Sequence, residues 1–169
     1  MTRNYLAIDE ILAILKATPP RLAELTAGMA PAQLHAAPAA GEWSANEVLA
    51  HLRACNEVWG GYIRSILAQD NPTIKAMNPR TWIKTTDYLD QDFDVSLETF
   101  AKQRSDLLAI LGPLPPTDWE RTNTLIGAGR RLQQTLISHA DGLARHERAH
   151  LKQIERTLKA LRSASQSNS

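Results

Sequence analysis

At 169 residues the chain is the size of one domain and can bury a core without staples. Its formal charge of +1 comes from nearly balanced acids and bases, with no basic stripe for nucleic acid. No run approaches the ~18 apolar residues that a membrane span needs, and the N-terminus lacks an apolar stretch followed by a small-residue cleavage site. The one cysteine, Cys55, excludes an internal disulfide and fits a reducing cytoplasm. Leu and Ala dominate and no β-rich alternating block appears, so the expected class is all-α.

The first helical segment runs from Leu6 to Lys16, with Ile8, Ile11, Leu12 and Leu15 among its apolar positions. Pro19-Pro20 interrupts it, and Leu22, Leu25 and Met29 continue the inner face. This predicts one bent helix or two stacked pieces. Ala30 to Gly41 reads as a connection, with one turn at Ala32 to Leu34 and His35 on the surface.

Gly41 to Glu47 (GEWSANE) is a sharp start signal. Ser44 is the N-cap, Glu47 stands at N3, and Trp43 can staple against Val48. Loss of this cap should cost ~1 kcal/mol. The helix runs to about Leu67 on a stripe of Val48, Leu52, Cys55, Trp59, Tyr62, Ile63 and Ile66. His51 lies on the edge of that stripe, one turn before Cys55.

Gln69 to Tyr88 is the least regular region and a long connection for a bundle. It is either a binding loop with Trp82 lining a pocket, or a crossover that Trp82 pins to the core. Asp94 or Ser96 caps the next helix, which reaches about Leu111 and turns Leu97, Phe100, Leu107, Leu108 and Leu111 inward. Arg104 falls on the same face, where it pairs with a buried acid or an anionic ligand, or else snorkels outward. Pro115 to Trp119 suggests a short turn capped by Thr117. Arg121 to Gly129 is a turn-rich approach to the last helix, Leu132 to about Leu161. Ser163 to Ser169 reads as a disordered polar tail, which leaves residues 1–162 as the domain. Four long helices with short loops and one crossover predict a four-helix bundle.

The last helix carries the strongest chemical signal. Leu132, Leu136, Leu143, Ile154 and Leu161 form its apolar stripe, and His139, His146 and His150 lie within it. His146 and His150, spaced i and i+4, can reach one point in space. His51 is the best third ligand from another helix. Three neutral imidazoles suit Zn, Ni, Fe or Co and leave an open position for water. The plainer alternative is a set of hydrogen-bonded core histidines. His139 lies two turns away, ~10 Å along the axis, too far to share an ion with both. A hydrogen-bonded core or pocket histidine is its expected role. Glu147 points about 100° from His146 and joins a charged face with Asp141, Arg145 and Arg148; it is not assigned as a base. Glu47 is either a capping residue or a support for His51, and capping is preferred. Cys55 is either a small core residue or a fourth ligand, and core packing is the ordinary reading of a buried cysteine.

GEWSANEVLAHLRACNEVW (Gly41 to Trp59) and HERAHLKQI (His146 to Ile154) resemble the two signatures of the DinB/YfiT-like superfamily. Trp43, Ser44, Gln153, Arg104 and DWER (Asp118 to Arg121) match its supporting pattern, over about residues 5 to 160. The resemblance implies a four-helix bundle of mirror-variant up-and-down topology, with Zn or Ni held by His51, His146 and His150. It also implies a homodimer acting on a small molecule. The implied enzyme is either a transferase using a low-molecular-weight thiol or a hydrolase, with Arg104 free to hold a carboxylate of cofactor or substrate. A non-enzymatic, stress-associated binding protein with a structural or absent metal is the alternative. No general base is identifiable, although His139 lies on the right face. Many relatives carry a histidine before the last helix. Thr122 to Gly129 (TNTLIGAG) has none, so contacts made there in relatives do not carry over.

Overall fold

A computed structural model describes residues 4–167. The four long helices are α1 (Ile8–Thr26), α3 (Ala45–Ala68), α5 (Phe93–Leu111) and α6 (Leu136–Ser167). The short helices α2 (Pro31–Leu34) and α4 (Pro79–Ile83), and a 3-10 turn over Pro116–Glu120, sit in the connections. Helices α1 and α3 each pack against both α5 and α6, so α1 and α3 occupy opposite corners of a four-helix bundle. The crossover from α3 to α5 is long, as expected.

The two prolines do not split α1, which is one continuous helix. Pro19 cannot donate to the carbonyl of Leu15, four residues back. The Arg104 guanidinium approaches that freed carbonyl instead, at 3.4 Å. Thr18 turns its hydroxyl back to the Ile14 carbonyl at 3.0 Å. The α3 start is as read from sequence. Ser44 Oγ accepts from the Glu47 amide at 3.1 Å, and Glu47 Oε2 accepts from the Ser44 amide at 2.7 Å. Helix α5 begins earlier than expected, because Asp92 accepts from the Asp94 and Val95 amides. Ser96 is left buried inside the helix, where it accepts from Arg53 at 2.7 Å.

The sequence reading missed a small sheet. Strands β1 (Thr73–Lys75), β2 (Thr122–Gly127) and β3 (Arg130–Thr135) lie in that order, β1 parallel and β3 antiparallel to β2. The tight turn between β2 and β3 has positive φ at both Ala128 (48°) and Gly129 (72°), the geometry that matches the strand twist. Leu132 therefore belongs to β3 and is 50% exposed, and α6 starts only at Leu136. At its other end α6 continues to Ser167, through most of the segment expected as a polar tail; residues 168–169 lie outside the described chain.

The core is divided in two. One cluster gathers Ile11, Leu15, Ile63, Leu107, Leu111 and Leu143. The other gathers Leu22, Val48, Leu49, Leu52, Phe100 and Ile154. Each long helix passes from one cluster to the other at a polar residue: Thr18, Asn56, Arg104 and Glu147, all 2% exposed or less. A buried polar layer thus crosses the middle of the bundle, and the histidines adjoin it.

Candidate metal centre

Helix α3 supplies His51 and, one turn later, Cys55; α6 supplies His146 and His150. His51 Nε2 lies 3.1 Å from His146 Nε2, and Cys55 Sγ lies 3.5 Å from His51 Nε2. The compact donor group is His51, Cys55 and His146, whose ligand atoms all lie within 4.8 Å of one another. This corrects the expected three-histidine site. The i+4 spacing from His51 swings the Cys55 sulfur into the cluster, so Cys55 is both a buried core residue and a candidate ligand. His150 adjoins the group, its Nε2 3.0 Å from His146 Nε2. Its Nδ1 meets Gln153 Oε1 at 2.7 Å, which makes Nδ1 the protonated nitrogen and leaves Nε2 a lone pair.

Aromatic rings wall the cluster. Trp43 stands edge-on to His51 at 5.3 Å and stacks with His150 at 6.3 Å, and Trp59 meets His146 at 5.2 Å. Burial holds His51 and His146 down to about 4, with the charge of His150 next in effect. His150 is also lowered, chiefly by burial, against the Gln153 hydrogen bond. The imidazoles are therefore neutral near pH 7, the form that binds metals. Burial, then the Glu147 charge, pushes the Cys55 thiol up to about 12.

The residues fit a divalent ion. Nitrogen and sulfur donors of this kind suit zinc. Imidazole nitrogens face each other at hydrogen-bond distance, and His146 Nδ1 is buried with no hydrogen-bond partner among the described residues. A cation would use lone pairs that otherwise confront one another.

Arg104, read as a holder of a cofactor or substrate carboxylate, has a carboxylate of its own chain. It is 1% exposed. Its Nη1 donates to Glu147 Oε2 at 2.8 Å, and its Nη2 to Glu147 Oε1 and, at 3.0 Å, to Asn56 Oδ1. Glu147 is not on an exposed charged face: it is fully buried. Burial pushes its carboxyl above the usual range while Arg104 pulls it down. Glu47 serves the helix cap and not His51. Trp82 is pinned to α3 by a 2.6 Å hydrogen bond from its indole to Glu57 Oε2. It also lines a cavity of about 310 Å³ with Tyr62 and Met77. His35 is exposed.

His139 is apart from the centre. Its Nε2 pairs with the buried Asn123 Oδ1 of β2 at 3.0 Å, and burial lowers it to about 4. In the unfolded chain a histidine titrates near 6.5. The native state thus resists a proton that the unfolded state accepts. The stability this contributes is complete above about pH 6.5 and is lost as pH falls through about 4. Denaturant unfolding of the metal-free protein at pH 7 and pH 4.5 should show His139→Gln losing less stability than the parent, by on the order of 2–3 kcal/mol. Parallel losses would show that His139 is not held neutral.

The chain belongs to the DinB superfamily, whose pattern it matches over residues 14–154. A protein of Oceanobacillus iheyensis named "Putative metal-dependent hydrolase OB0782" is 32% identical over 92 residues, 53% of this chain and 52% of that one. The match thus spans about half of that relative's length. Bacillus subtilis YfiT, described as "a probable metal-dependent hydrolase with an unusual four-helix bundle topology", superposes with a TM-score of 0.73 at 19% identity, over 92% of this chain and 91% of its own. TT2238, described as a four-helix bundle protein, gives a TM-score of 0.63 at 19% identity, over 89% and 99%. At such identity these two likenesses establish the fold.

Proposed function

We propose that the protein is a divalent-metal-dependent hydrolase of small molecules, with the ion held by His51, Cys55 and His146. His150 is in reach as an exchangeable donor on the pocket side. The observation that carries this reading is a nitrogen and sulfur cluster, buried at His51 and Cys55 and half-buried at His146, that adjoins, through His150, a cavity of about 560 Å³. That volume suits a small ligand. Zinc is the ion the donor types favour, with nickel second. When bound, it supplies Lewis-acid activation of water and of the substrate's acceptor oxygen. The protein's own groups do the rest. Trp43 and Trp59 limit water beside the donors, and Gln153 fixes the tautomer of His150. The names of the Oceanobacillus and Bacillus relatives support hydrolysis. Transfer of a low-molecular-weight thiol is the second reading, favoured by two arginines, Arg80 and Arg156, in the same cavity. The family resemblance extends the reading to a cytoplasmic homodimer.

The test is metal content by elemental analysis of protein purified without an affinity tag, followed by a screen of ester and amide hydrolysis with the metal found. Near-stoichiometric metal is expected, lost in His51→Ala, Cys55→Ala and His146→Ala while helical circular dichroism persists. Metal-free protein that cannot be reconstituted would sink the proposal.

A further inference from the structure

The cavity beside His150 has a chemical character of its own. Trp43 forms one wall, Gln153, Arg156 and Thr157 of α6 another, and Arg80 of α4 reaches over it from the crossover. The Arg80 guanidinium lies 5.1 Å from the Trp43 ring. Arg21, Arg145 and Arg148 find acidic partners elsewhere on the bundle. Arg80 and Arg156, both exposed, form no ion pair among the described residues. Glu42 is the one acid in the lining, against two guanidiniums. The cavity therefore carries an excess of positive charge, presented on the side chain best suited to planar, two-point recognition of oxyanions.

The spacing along α6 gives the ligand a length. His150, Gln153, Thr157 and Ala160 follow one another on one face, with Arg156 beside them. Arg156 lies six positions after His150, about 9 Å along the axis. A molecule of that length can reach the donor cluster with one end and Arg156 with the other. Small side chains at Thr157 and Ala160 leave the path between them open, and the Trp43 ring offers it a flat apolar face.

We propose that this cavity recognises a small anionic ligand, its carboxylate or phosphate held by Arg80 and Arg156 and its body lying along Trp43 toward His150. The substrate class follows from the proposed hydrolase site, on which this inference rests for its function: an anionic small molecule whose reactive bond lies some distance from its charge. Binding of the anion itself does not require the ion, which separates the two tests.

The experiment is titration of the metal-free full chain with succinate and, separately, with inorganic phosphate, followed by calorimetry and tryptophan fluorescence. Uncharged succinamide is the control. Saturable binding of at least one anion is expected, weakened roughly tenfold or more in both Arg80→Gln and Arg156→Gln, with succinamide failing to compete. The tighter of the two anions identifies the headgroup. Both variants should keep the metal content of the parent, and His51→Ala should lose metal while still binding the anion. Binding that is unchanged in both arginine variants, or no saturable binding of either anion, would overturn the assignment. So would succinamide binding as tightly as succinate.

Discussion

Arg104→Ala is expected to cost about 3–5 kcal/mol of folding stability, lowering the melting temperature by roughly 6–20 °C in a domain of this size. The reason is what the substitution leaves behind. Glu147 is fully buried, and both its carboxylate oxygens receive hydrogen bonds from Arg104. Without the guanidinium an unpaired carboxylate remains between two apolar clusters. Asn56 Oδ1 loses a donor at 3.0 Å, and the Leu15 carbonyl, already deprived of an amide by Pro19, loses its 3.4 Å approach. The pH response identifies the cause. Burial already pushes the Glu147 carboxyl upward, and removal of Arg104 drives it further, so the native variant takes up a proton that the unfolded chain releases. The penalty is therefore greatest at neutral and alkaline pH and shrinks in acid. Joint replacement, Arg104→Met with Glu147→Leu, removes both charges and should recover most of the loss. Denaturant unfolding of the single and double variants measures this directly. A single-variant loss below about 1 kcal/mol, the range of exposed ion pairs, would show that the pair is not the bundle's central fastening.

The Arg104–Glu147 pair also shows how far one sequence can be read. The four helices are local events. The Ser44 and Glu47 cap, the apolar stripe of α3 and the spacing of His146 and His150 need only neighbours within two turns, and each stands where the pattern put it. By its direction from His146 alone, Glu147 falls on the charged face of α6. Measured from the apolar residues, it continues the series Leu136, Ala140, Leu143, Glu147, Ile154, Leu158, whose other members are all buried. An acid on that series needs a buried cation, and Arg104 falls on the apolar face of its own helix, where pairing with a buried acid is one of the open readings. The small sheet was hidden for a different reason. Thr122 to Gly127 and Arg130 to Thr135 are short, and most of their residues are at least partly exposed, so no alternation of apolar with polar residues marks them. Ala128 at a left-handed turn position departs from the Asn-Gly pattern that announces such turns.

The ligand cluster was half legible for a chemical reason. His51 and Cys55 are one turn apart, and that spacing was visible. A buried thiol, however, looks the same whether it packs as a small apolar group or waits for an ion. Only the approach of α6, bringing His146 Nε2 to 3.1 Å from His51 Nε2, turns the pair into a three-donor group. The cavity was not legible at all. It joins Trp43 before α3, Arg80 in the crossover and Arg156 on α6, three segments that no local pattern connects.

Proton release on metal binding should separate a site that includes Cys55 from one built on imidazoles alone. At pH 7.5 zinc added to the metal-free protein is expected to release about one proton per ion from Cys55, because a coordinated thiol gives up its proton. His51 and His146, held at about 4, are already neutral and release none. Cys55, held at about 12 by burial and by Glu147, is fully protonated and supplies the one. Its thiolate beside Glu147 is unfavourable unless a cation arrives with it. Between roughly pH 6 and pH 9 zinc affinity should therefore rise about tenfold per pH unit. Only as pH falls toward about 4 do His51 and His146 begin to compete for protons, and the dependence steepens there. In Cys55→Ala the proton release and the slope each fall by about one, whatever an ion-bound water contributes, and the affinity near pH 7.5 reports what the imidazoles supply alone. The readout is calorimetry in buffers of different ionisation enthalpy, where the observed heat shifts in proportion to the protons released. A parent protein that binds zinc tightly with no such shift would remove Cys55 from the metal centre and leave it a core residue beside the histidines.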